Sequence, residues 1–177
     1  MPRLFLALHP PSDVARELLE LLAALELPPH RPTPLDQLHM TVLFLGDVPE
    51  RDVAKTIESA ERAAASVAPF ELRLRALEAL PEQGLARLLA AATDTPRELS
   101  ELRRRLVARL AAQRAKTGPL HPHLTLCRFR SPTRLSFEPR PLEGPAFGVT
   151  ALSLHKSVLH ATGAEHRQLA RIPLVGA

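Results

Sequence analysis

The feature that most limits how this chain can fold is a pattern that occurs twice along it. In each half, a predicted strand leads into a predicted helix and then into a second strand that carries the triplet His-x-Thr. His123 follows His39 by 84 residues, and Leu89 follows Phe5 by 84 residues, each at the middle of the first strand of its half. The starts of the two helices are 83 residues apart. Because these offsets agree, we predict an internal duplication that builds two lobes on one plan.

Apolar periodicity and helix-capping residues predict the elements in more detail. Ser12 is predicted to cap a helix that ends near Leu27, and a capping box that begins at Thr95 opens a helix that continues to about Lys116. A further helix is predicted over residues 50–67. The predicted strands cover residues 3–8, 38–45, 70–77, 85–91, 123–129, 147–158 and 166–174. We therefore expect an α+β fold in one domain over residues 1–177.

The two His-x-Thr triplets each place an imidazole and a hydroxyl on one face of a strand. Successive side chains of a strand point to opposite faces, so His39 and Thr41 share a face, as do His123 and Thr125. The apolar residues predicted for the opposite faces are Met40, Val42, Phe44, Leu124 and Leu126. A histidine in a strand is more often structural than catalytic, but the same pairing with threonine in both halves favours a site.

Two imidazoles and two hydroxyls suit in-line displacement at phosphorus. One imidazole can take the proton of the attacking group, and the other can give a proton to the departing oxygen, because both titrate near neutral pH. Hydroxyl groups can donate to the non-bridging phosphoryl oxygens and stabilise the charge that grows there. Two lobes related by a pseudo-twofold axis would place the histidines on opposite sides of one phosphorus atom.

Composition narrows the class of protein without indicating an activity. Hydrophobic residues form 45% of the 177 residues, so the chain can bury a core, and a net charge of +4 is compatible with an anionic ligand. The single cysteine, Cys127, excludes an internal disulfide and a cysteine-rich metal site. The apolar run at residues 4–8 is too short for a signal segment or a membrane span, so we expect a cytoplasmic protein.

The two motifs also carry a family resemblance. HMTVLFLG at 39–46 and PHLTLCR at 122–128 are similar to the two H-x-T-x motifs of the two-histidine (2H) phosphoesterase superfamily. Within it, the chain resembles the bacterial and archaeal RNA 2′,3′-cyclic phosphodiesterases, historically labelled 2′-5′ RNA ligases. The segments RLFLALHPP, FELRLRAL and SVLHATGAEHRQLARIPL match the opening, middle and closing parts of that family, so the resemblance covers nearly the whole chain.

The resemblance implies both a fold and a reaction. The fold is α+β, with two similar lobes, each an antiparallel sheet with helices on the outside, flanking a central cleft. The reaction is hydrolysis of a terminal 2′,3′-cyclic phosphate on RNA or a nucleotide, leaving a 2′-phosphomonoester. His39 would be the proton donor and His123 the proton acceptor, while Thr41 and Thr125 would bind phosphate. We expect no metal or other cofactor, no membrane, and a monomer.

Three further positions and one segment depart from the family or extend its motifs. Arg128 stands where a basic residue commonly follows the second motif, and it is a possible substrate contact, although strand parity points it away from His123. His121 stands where the family often has arginine, and it is either a supplement to the site or an exposed turn residue. His166 replaces a frequent tyrosine, and residues 31–34 lack the usual aromatic, which concerns base stacking rather than the acid–base pair.

Other interpretations of these residues stay open. His121, His123 and Cys127 form an alternative metal site, although no acidic partner or second cysteine lies nearby. The arginines at 103–105 are either a solvated helix face or a patch that guides RNA. The same site could run in reverse as a 2′-5′ RNA ligase, or serve an RNA-binding module without turnover. Intact histidines and threonines in both motifs favour an enzyme, since binding alone needs no acid–base pair.

Overall fold

Among the residues that the structure describes, the chain forms two antiparallel sheets and three helices. The computed structural model of the chain describes residues 2–110, 119–144, 146–160 and 163–176. Within them the helices are α1 (Ser12–Ala23), α2 (Val53–Ala64) and α3 (Arg97–Leu110). The strands are β1 (Arg3–Leu8), β2 (His30–Pro32), β3 (Met40–Asp47), β4 (Phe70–Leu80), β5 (Ala86–Thr93), β6 (His123–Thr133), β7 (Arg140–Pro141), β8 (Ala146–Val149), β9 (Ala151–His160) and β10 (Gly163–Pro173). Short 3-10 turns lie at Leu35–Gln37 and Glu50–Asp52.

The strand orders of the two sheets match each other. The first sheet has the order β10-β9-β1-β3, and the second has the order β2-β6-β5-β4-β7, with β8 also paired to β4. The run β9-β1-β3 therefore corresponds to the run β4-β5-β6, and the two His-x-Thr strands occupy equivalent places. The expected α+β fold of two similar antiparallel lobes is confirmed.

Each lobe is tied to the other by a helix. Helix α1 follows β1 of the first sheet but contacts β6 of the second, and α3 follows β5 of the second sheet but contacts β3 of the first. Helix α2 packs against α3 and β10. One cluster of buried apolar side chains, including Leu6, Leu89, Leu106 and Leu154, contains residues of both sheets and of the helices. The two lobes therefore share a core, whose burial of apolar surface is the main stabilising term.

Strand β1 is buried on both of its faces. Leu4, Leu6 and Leu8 face the shared core, and each is at most 1% exposed. Phe5 and Ala7 point to the other face and are buried as well, at 2% and 0% exposed. Other side chains must therefore pack on the second face of β1, and they include histidines of the candidate site.

Two predictions about helix ends are wrong. Ser12 is the first helical residue of α1, whereas Pro11 occupies the capping position, and no side chain caps this end. The extended backbone of Pro11 already turns the chain into the helix, and its carbonyl accepts a bond from the Ala15 amide at 2.9 Å. Helix α1 also ends at Ala23 rather than near Leu27, because the chain must reach the extended segment that forms β2. The predicted end of α3 near Lys116 lies outside the described residues.

The arginine-rich face of α3 is partly neutralised. Glu101 accepts hydrogen bonds from Arg104 and Arg105 at 2.7 and 2.6 Å, across one turn of the helix. Such pairs on a helix surface contribute only a few tenths of a kcal/mol. They favour the solvated-face interpretation of α3 over an RNA-guiding patch. No helix within the described ranges is both long enough and apolar enough to cross a membrane.

Candidate active site

The two motif histidines lie at the starts of the two strands that meet between the sheets. His39 directly precedes β3, and His123 is the first residue of β6. Strands β3 and β6 contact each other, so the edge of the first sheet faces the second sheet there. Thr93, at the end of β5, also reaches across, with its hydroxyl 3.9 Å from the sulfur of Met40.

Both motif histidines make the same backbone hydrogen bond. The Nδ1–H of His39 donates to the carbonyl of Gln37 at 2.6 Å, and the Nδ1–H of His123 donates to the carbonyl of His121 at 2.7 Å. In each case the acceptor is the carbonyl two residues earlier. A carbonyl oxygen only accepts, so the bond places a proton on Nδ1 and leaves Nε2 for a ligand. The two imidazoles are thus held in the same tautomer by equivalent backbone atoms.

The motif threonines lie beside the histidines with their hydroxyls available. Thr41 and Thr125 are both partly exposed, on the same strand faces as His39 and His123. Across the described residues, neither hydroxyl donates a hydrogen bond to a protein group. Thr33 instead bonds the backbone of this segment, with its hydroxyl 2.7 Å from the Thr125 carbonyl. Both threonine hydroxyls can therefore donate to an anion.

Matched β-bulges interrupt both motif strands just after the threonines. In β3, Thr41 pairs with Ala7 and Leu43 with Leu6, so that Val42 is the extra residue. In β6, Thr125 pairs with Ala90 and Cys127 with Leu89, so that Leu126 is the extra residue. The two extra residues are again 84 positions apart. A bulge inserts one unpaired residue, so each side chain after it lies on the face opposite to the one that simple alternation predicts.

The bulges overturn the predicted faces of Phe44 and Arg128. Phe44 was expected among the apolar residues opposite His39, but it is 68% exposed, and its ring centre is 6.0 Å from that of Phe5 on the histidine face. Arg128 was expected to point away from His123, but it is exposed and its charge acts on the pKa of His123. The prediction from simple alternation fails because it assumes that strand pairing continues without a bulge.

Four aromatic neighbours surround the His39 ring. Its centre lies 5.0 Å from that of Phe5, 5.2 Å from His166, 6.0 Å from His9 and 6.3 Å from His155. The His155 ring stacks on Phe5 at 5.2 Å with an interplanar angle of 15°. These rings cover the second face of β1, above the small side chain of Ala7. His9 and His155 were not predicted, because only the β1–β9 register, which local sequence does not give, brings them together.

His9 and His155 form a hydrogen-bonded pair. The Nδ1–H of His9 donates to the Leu38 carbonyl at 3.1 Å, so its Nε2 accepts from the Nε2–H of His155 at 2.8 Å. This arrangement requires the His9 ring to be neutral, because its Nε2 must carry a lone pair to accept the bond. Among the described residues, Nδ1 of His155 and Nδ1 of His166 are buried without a hydrogen-bond partner. Through the Leu38 carbonyl, the pair supports the backbone immediately before His39.

His9, His39, His155 and His166 are here called the histidine cluster. Burial lowers the pKa of each of them. The pKa of His39 falls from 6.5 to about 4, mainly through burial, against the bond to Gln37, which raises it; the charges of His166, His9 and Arg128 lower it further. The pKa of His155 also falls to about 4, through burial and then its histidine neighbours. Burial is the main cause that lowers the pKa of His123, and the charge of Glu78 partly opposes it. Because each pKa lies below 6.5, these groups are mostly neutral in the free protein at pH 7.

Arg128 is the positive charge shared by both sides of the site. After burial, its charge is among the causes that lower the pKa of His39, His123 and His166. Within the described part of the chain, no carboxylate forms an ion pair with its guanidinium. A guanidinium that acts on two imidazoles and has no carboxylate partner among the described residues attracts an anion, and its fork of donors matches a phosphate.

His121 lies at the edge of the site and binds a protein carboxylate. Its Nε2 bonds the carboxylate of Glu78, whose side chain is 12% exposed against 50% for His121. Its carbonyl accepts the bond from His123, and its ring centre lies 5.7 Å from that of His123. Glu78 was not anticipated, because it lies on β4 and reaches the site only through the strand order.

The alternative metal site gains no support from the geometry. Cys127 is buried, and burial raises the pKa of its thiol, which disfavours the thiolate that a metal binds. Among the described residues, no group of three or more His, Cys, Asp or Glu side chains is placed to hold a metal ion.

Comparisons with known proteins agree with this geometry. A family model for the 2′-5′ RNA ligase superfamily matches residues 10–159. A curated RNA 2′,3′-cyclic phosphodiesterase of Thermus thermophilus is 32% identical over 98% of this chain and 91% of its own length.

Solved structures of relatives have the same fold. The crystal structure of TT0787 of T. thermophilus superposes with a TM-score of 0.87 at 28% identity, covering 98% of both chains. E. coli LigT complexed with 3′-AMP superposes with a TM-score of 0.81 at 27% identity, again covering 98% of both chains. The resemblance seen in the two motifs is confirmed: the chain belongs to the 2′-5′ RNA ligase superfamily.

Proposed function

We propose that this protein hydrolyses RNA that ends in a 2′,3′-cyclic phosphate and leaves a 2′-phosphomonoester, by acid–base catalysis at His39 and His123 without a metal ion. One observation carries the proposal: two imidazoles are anchored alike through Nδ1 at the starts of strands that contact each other, and the charge of Arg128 lowers the pKa of both. The name of the T. thermophilus relative, an RNA 2′,3′-cyclic phosphodiesterase, supports the choice of substrate.

The reaction moves one proton from water to the ribose. Nε2 of His123 accepts a proton from water as the water oxygen bonds to phosphorus. The P–O3′ bond breaks on the opposite side, and Nε2–H of His39 gives its proton to the departing O3′. The product keeps the phosphate on O2′, and a second proton exchange with solvent restores both imidazoles. The assignment of donor and acceptor, and of O3′ as the leaving atom, follows the family resemblance.

The remaining groups of the site stabilise the phosphate. Hydroxyl donors from Thr41 and Thr125 would meet the two non-bridging oxygens, and the Arg128 guanidinium would offset their charge. The exposed ring of Phe44 offers a surface on which the terminal base can stack. His121 is a weaker candidate for substrate contact, because Glu78 already binds its ring.

Replacing either catalytic imidazole is the direct test. His39→Ala and His123→Ala should each lower kcat on a nucleoside 2′,3′-cyclic phosphate by about 10²–10⁴-fold, the usual contribution of a general acid or base. Thr41→Val and Thr125→Val should lower it less. His30→Ala serves as the matched control, since its Nδ1–H also bonds a carbonyl two residues earlier, that of Pro28, outside the site. Near-normal rates in a folded His39 or His123 variant would refute the mechanism.

The same assay separates the alternatives. Activity should survive excess chelator, and its loss in EDTA with recovery on adding a divalent ion would indicate a metallophosphodiesterase. Binding without turnover would indicate an RNA-binding module. Joining of a cyclic-phosphate end to a 5′-hydroxyl end would show the reverse, ligase direction, which the same acid–base pair permits. Phosphorus NMR against 2′- and 3′-phosphate standards identifies the bond that breaks.

We further propose that the chain acts as a cytoplasmic, monomeric, two-lobed domain over residues 1–177. The shared core supports a single domain. Every group of the proposed site comes from one chain, so the mechanism needs no second copy. Light scattering at assay concentration tests the monomer.

A further inference from the structure

The cleft face of the first sheet continues beyond the histidine cluster to a polar cavity. The cavity lies where the chain passes from β8 in the second sheet to β9 in the first. Its lining includes His9, Gly148, Thr150, Ser153, Gln168 and Arg171. His9 therefore belongs both to this cavity and to the cluster around His39. The two regions form one continuous surface.

Strand register places Arg171 in line with the proposed phosphate site. Arg171 pairs with Ser153, Ser153 with Ala7, and Ala7 with Thr41, so all four residues lie in one row across the sheet. Ile172 on β10 is buried in the core, so Arg171 points to the opposite, cleft face. With strands about 4.8 Å apart, the Cα atoms of Arg171 and Thr41 are about 14 Å apart. Arg171 and Thr41 stand on the same face of the sheet, so one extended nucleotide chain can contact both.

The charges of the cavity favour an anion. Arg171 is exposed and donates to the Thr150 hydroxyl at 3.4 Å, a long hydrogen bond that leaves its other donors available. Across the described residues, no carboxylate pairs with Arg171 or lines this cavity. Gln168 and Ser153 add neutral donors. Gly148 forms the wall from the second sheet, and a Cβ there would meet nothing within 4 Å, so the space beside it is open.

We propose that this cavity is a subsite for the phosphodiester that precedes the cyclic end of an RNA substrate, with Arg171 as its main contact. The proposal rests on the proposed function, which it deepens: it assigns the protein to RNA chains rather than to free cyclic mononucleotides. Arg171 binds the chain and takes no part in the proton transfers.

The test compares two substrates with the wild-type protein and with Arg171→Ala. One substrate is a nucleoside 2′,3′-cyclic phosphate, and the other is a trinucleotide that ends in the same group. In the variant, kcat/KM for the trinucleotide should fall about 10- to 100-fold, as expected for loss of a charged hydrogen bond, while the mononucleotide value stays within about twofold. Gly148→Leu, which fills the cavity from the other wall, should have the same selective effect.

Arg167→Ala is the matched control. Arg167 lies on the same strand and is also exposed, but strand parity turns it away from His166 and Gln168, so it should affect neither substrate. An equal loss on both substrates in Arg171→Ala, or no loss on either, overturns the subsite.

A separate measurement keeps the subsite testable if the proposed function fails. If the wild-type protein turns over neither substrate, the proposed function fails, and the subsite is then tested by fluorescence anisotropy. The probe is a labelled trinucleotide with a terminal 2′-phosphate. Weaker binding to Arg171→Ala than to wild type would support the subsite, and equal binding would overturn it.

Discussion

At His39, burial sets the conditions under which the chemistry can run. The proposed mechanism needs a charged His39 as proton donor, yet the pKa of His39 is about 4 in the free protein. A bound phosphodiester carries a negative charge, which favours the charged imidazole and raises the pKa in the complex. Substrate binding thus helps to create the donor that the reaction needs.

This coupling predicts a pH profile. The active form has one imidazole charged and one neutral, so kcat/KM should be bell-shaped, with its maximum on the acid side of pH 6.5, because burial lowers the pKa values of both His39 and His123 in the free protein. The basic limb of the kcat profile should lie at higher pH than the basic limb of kcat/KM, because the bound anion raises the pKa of the donor. The two limbs belong to the coupled pair, not to single residues. A kcat/KM that is flat from pH 4 to 9 in a chemistry-limited assay would contradict the assignment.

Arg128→Met gives the profile a second, independent test. Removing the guanidinium removes a charge that lowers both pKa values, so both limbs of kcat/KM should move to higher pH, whatever happens to the rate. Arg130→Met is the control, since this exposed residue on the same strand is not among the charges that act on either histidine. Unmoved limbs in Arg128→Met would place its guanidinium away from the imidazoles.

At the residue scale, the sequence is most informative where a pattern repeats. The His-x-Thr triplets of the two halves lie on, or directly before, two strands that contact each other, and the roles assigned to their four residues stay predictions. His9, His155 and Glu78 were missed because each joins the site from another strand, through pairings that depend on long-range register. They can be identified only once the strand order is known, because nothing in the adjacent sequence distinguishes them.

At the scale of elements, the paired bulges decide which side chains reach the cleft. One extra residue in β3 brings Phe44 to the histidine face, and one in β6 does the same for Arg128. Without them, alternation would turn both side chains away. Apolar runs predicted the long strands, but they missed the short strands β2 and β7, and the one strand predicted over 147–158 is in fact β8 and β9, in different sheets. A bulge leaves no clear trace in a run such as TVLF or TLCR, where both candidates for the extra residue are apolar.

The position of Phe44 predicts a role in binding the base. Phe44→Ala should raise KM for a cyclic mononucleotide about tenfold, the value of one lost base-stacking contact, with little change in stability because the ring is 68% exposed. Leu85→Ala, another exposed apolar residue, is the control, and it should leave KM unchanged. A fall in kcat at constant KM would instead indicate that Phe44 acts through Phe5 on the position of His39.

On the scale of the whole molecule, the histidine cluster makes stability depend on pH. His155 is 6% exposed, and its pKa is lowered from 6.5 to about 4. Below pH 6.5 the unfolded chain binds protons that the folded protein does not, so stability is complete above pH 6.5 and falls as the pH approaches 4. For His155 alone the loss is at most about 3 kcal/mol.

Urea denaturation measures this effect. The free energy of unfolding should fall between pH 7 and pH 4.5 in the wild-type protein, and it should fall less in His155→Phe, whose ring can keep the stacking on Phe5. An equal fall in both proteins would show that other groups cause the dependence. Any change in the urea m-value must be excluded first, since it would indicate a change in the unfolded or native ensemble.

The pairing of β1 has a consequence for the order in which the chain can fold. Strand β1 lies between β3, which follows it closely, and β9 at residues 151–160. The central pairs of the second sheet, β4 with β5 and β5 with β6, join segments that lie close together between residues 70 and 133. Loop closure over short separations costs less entropy, so the second sheet can assemble before β1 pairs with β9. During synthesis, the β1 edge that pairs with β9 therefore stays open until β9 leaves the ribosome. The first sheet is then the part of the molecule most prone to misassembly.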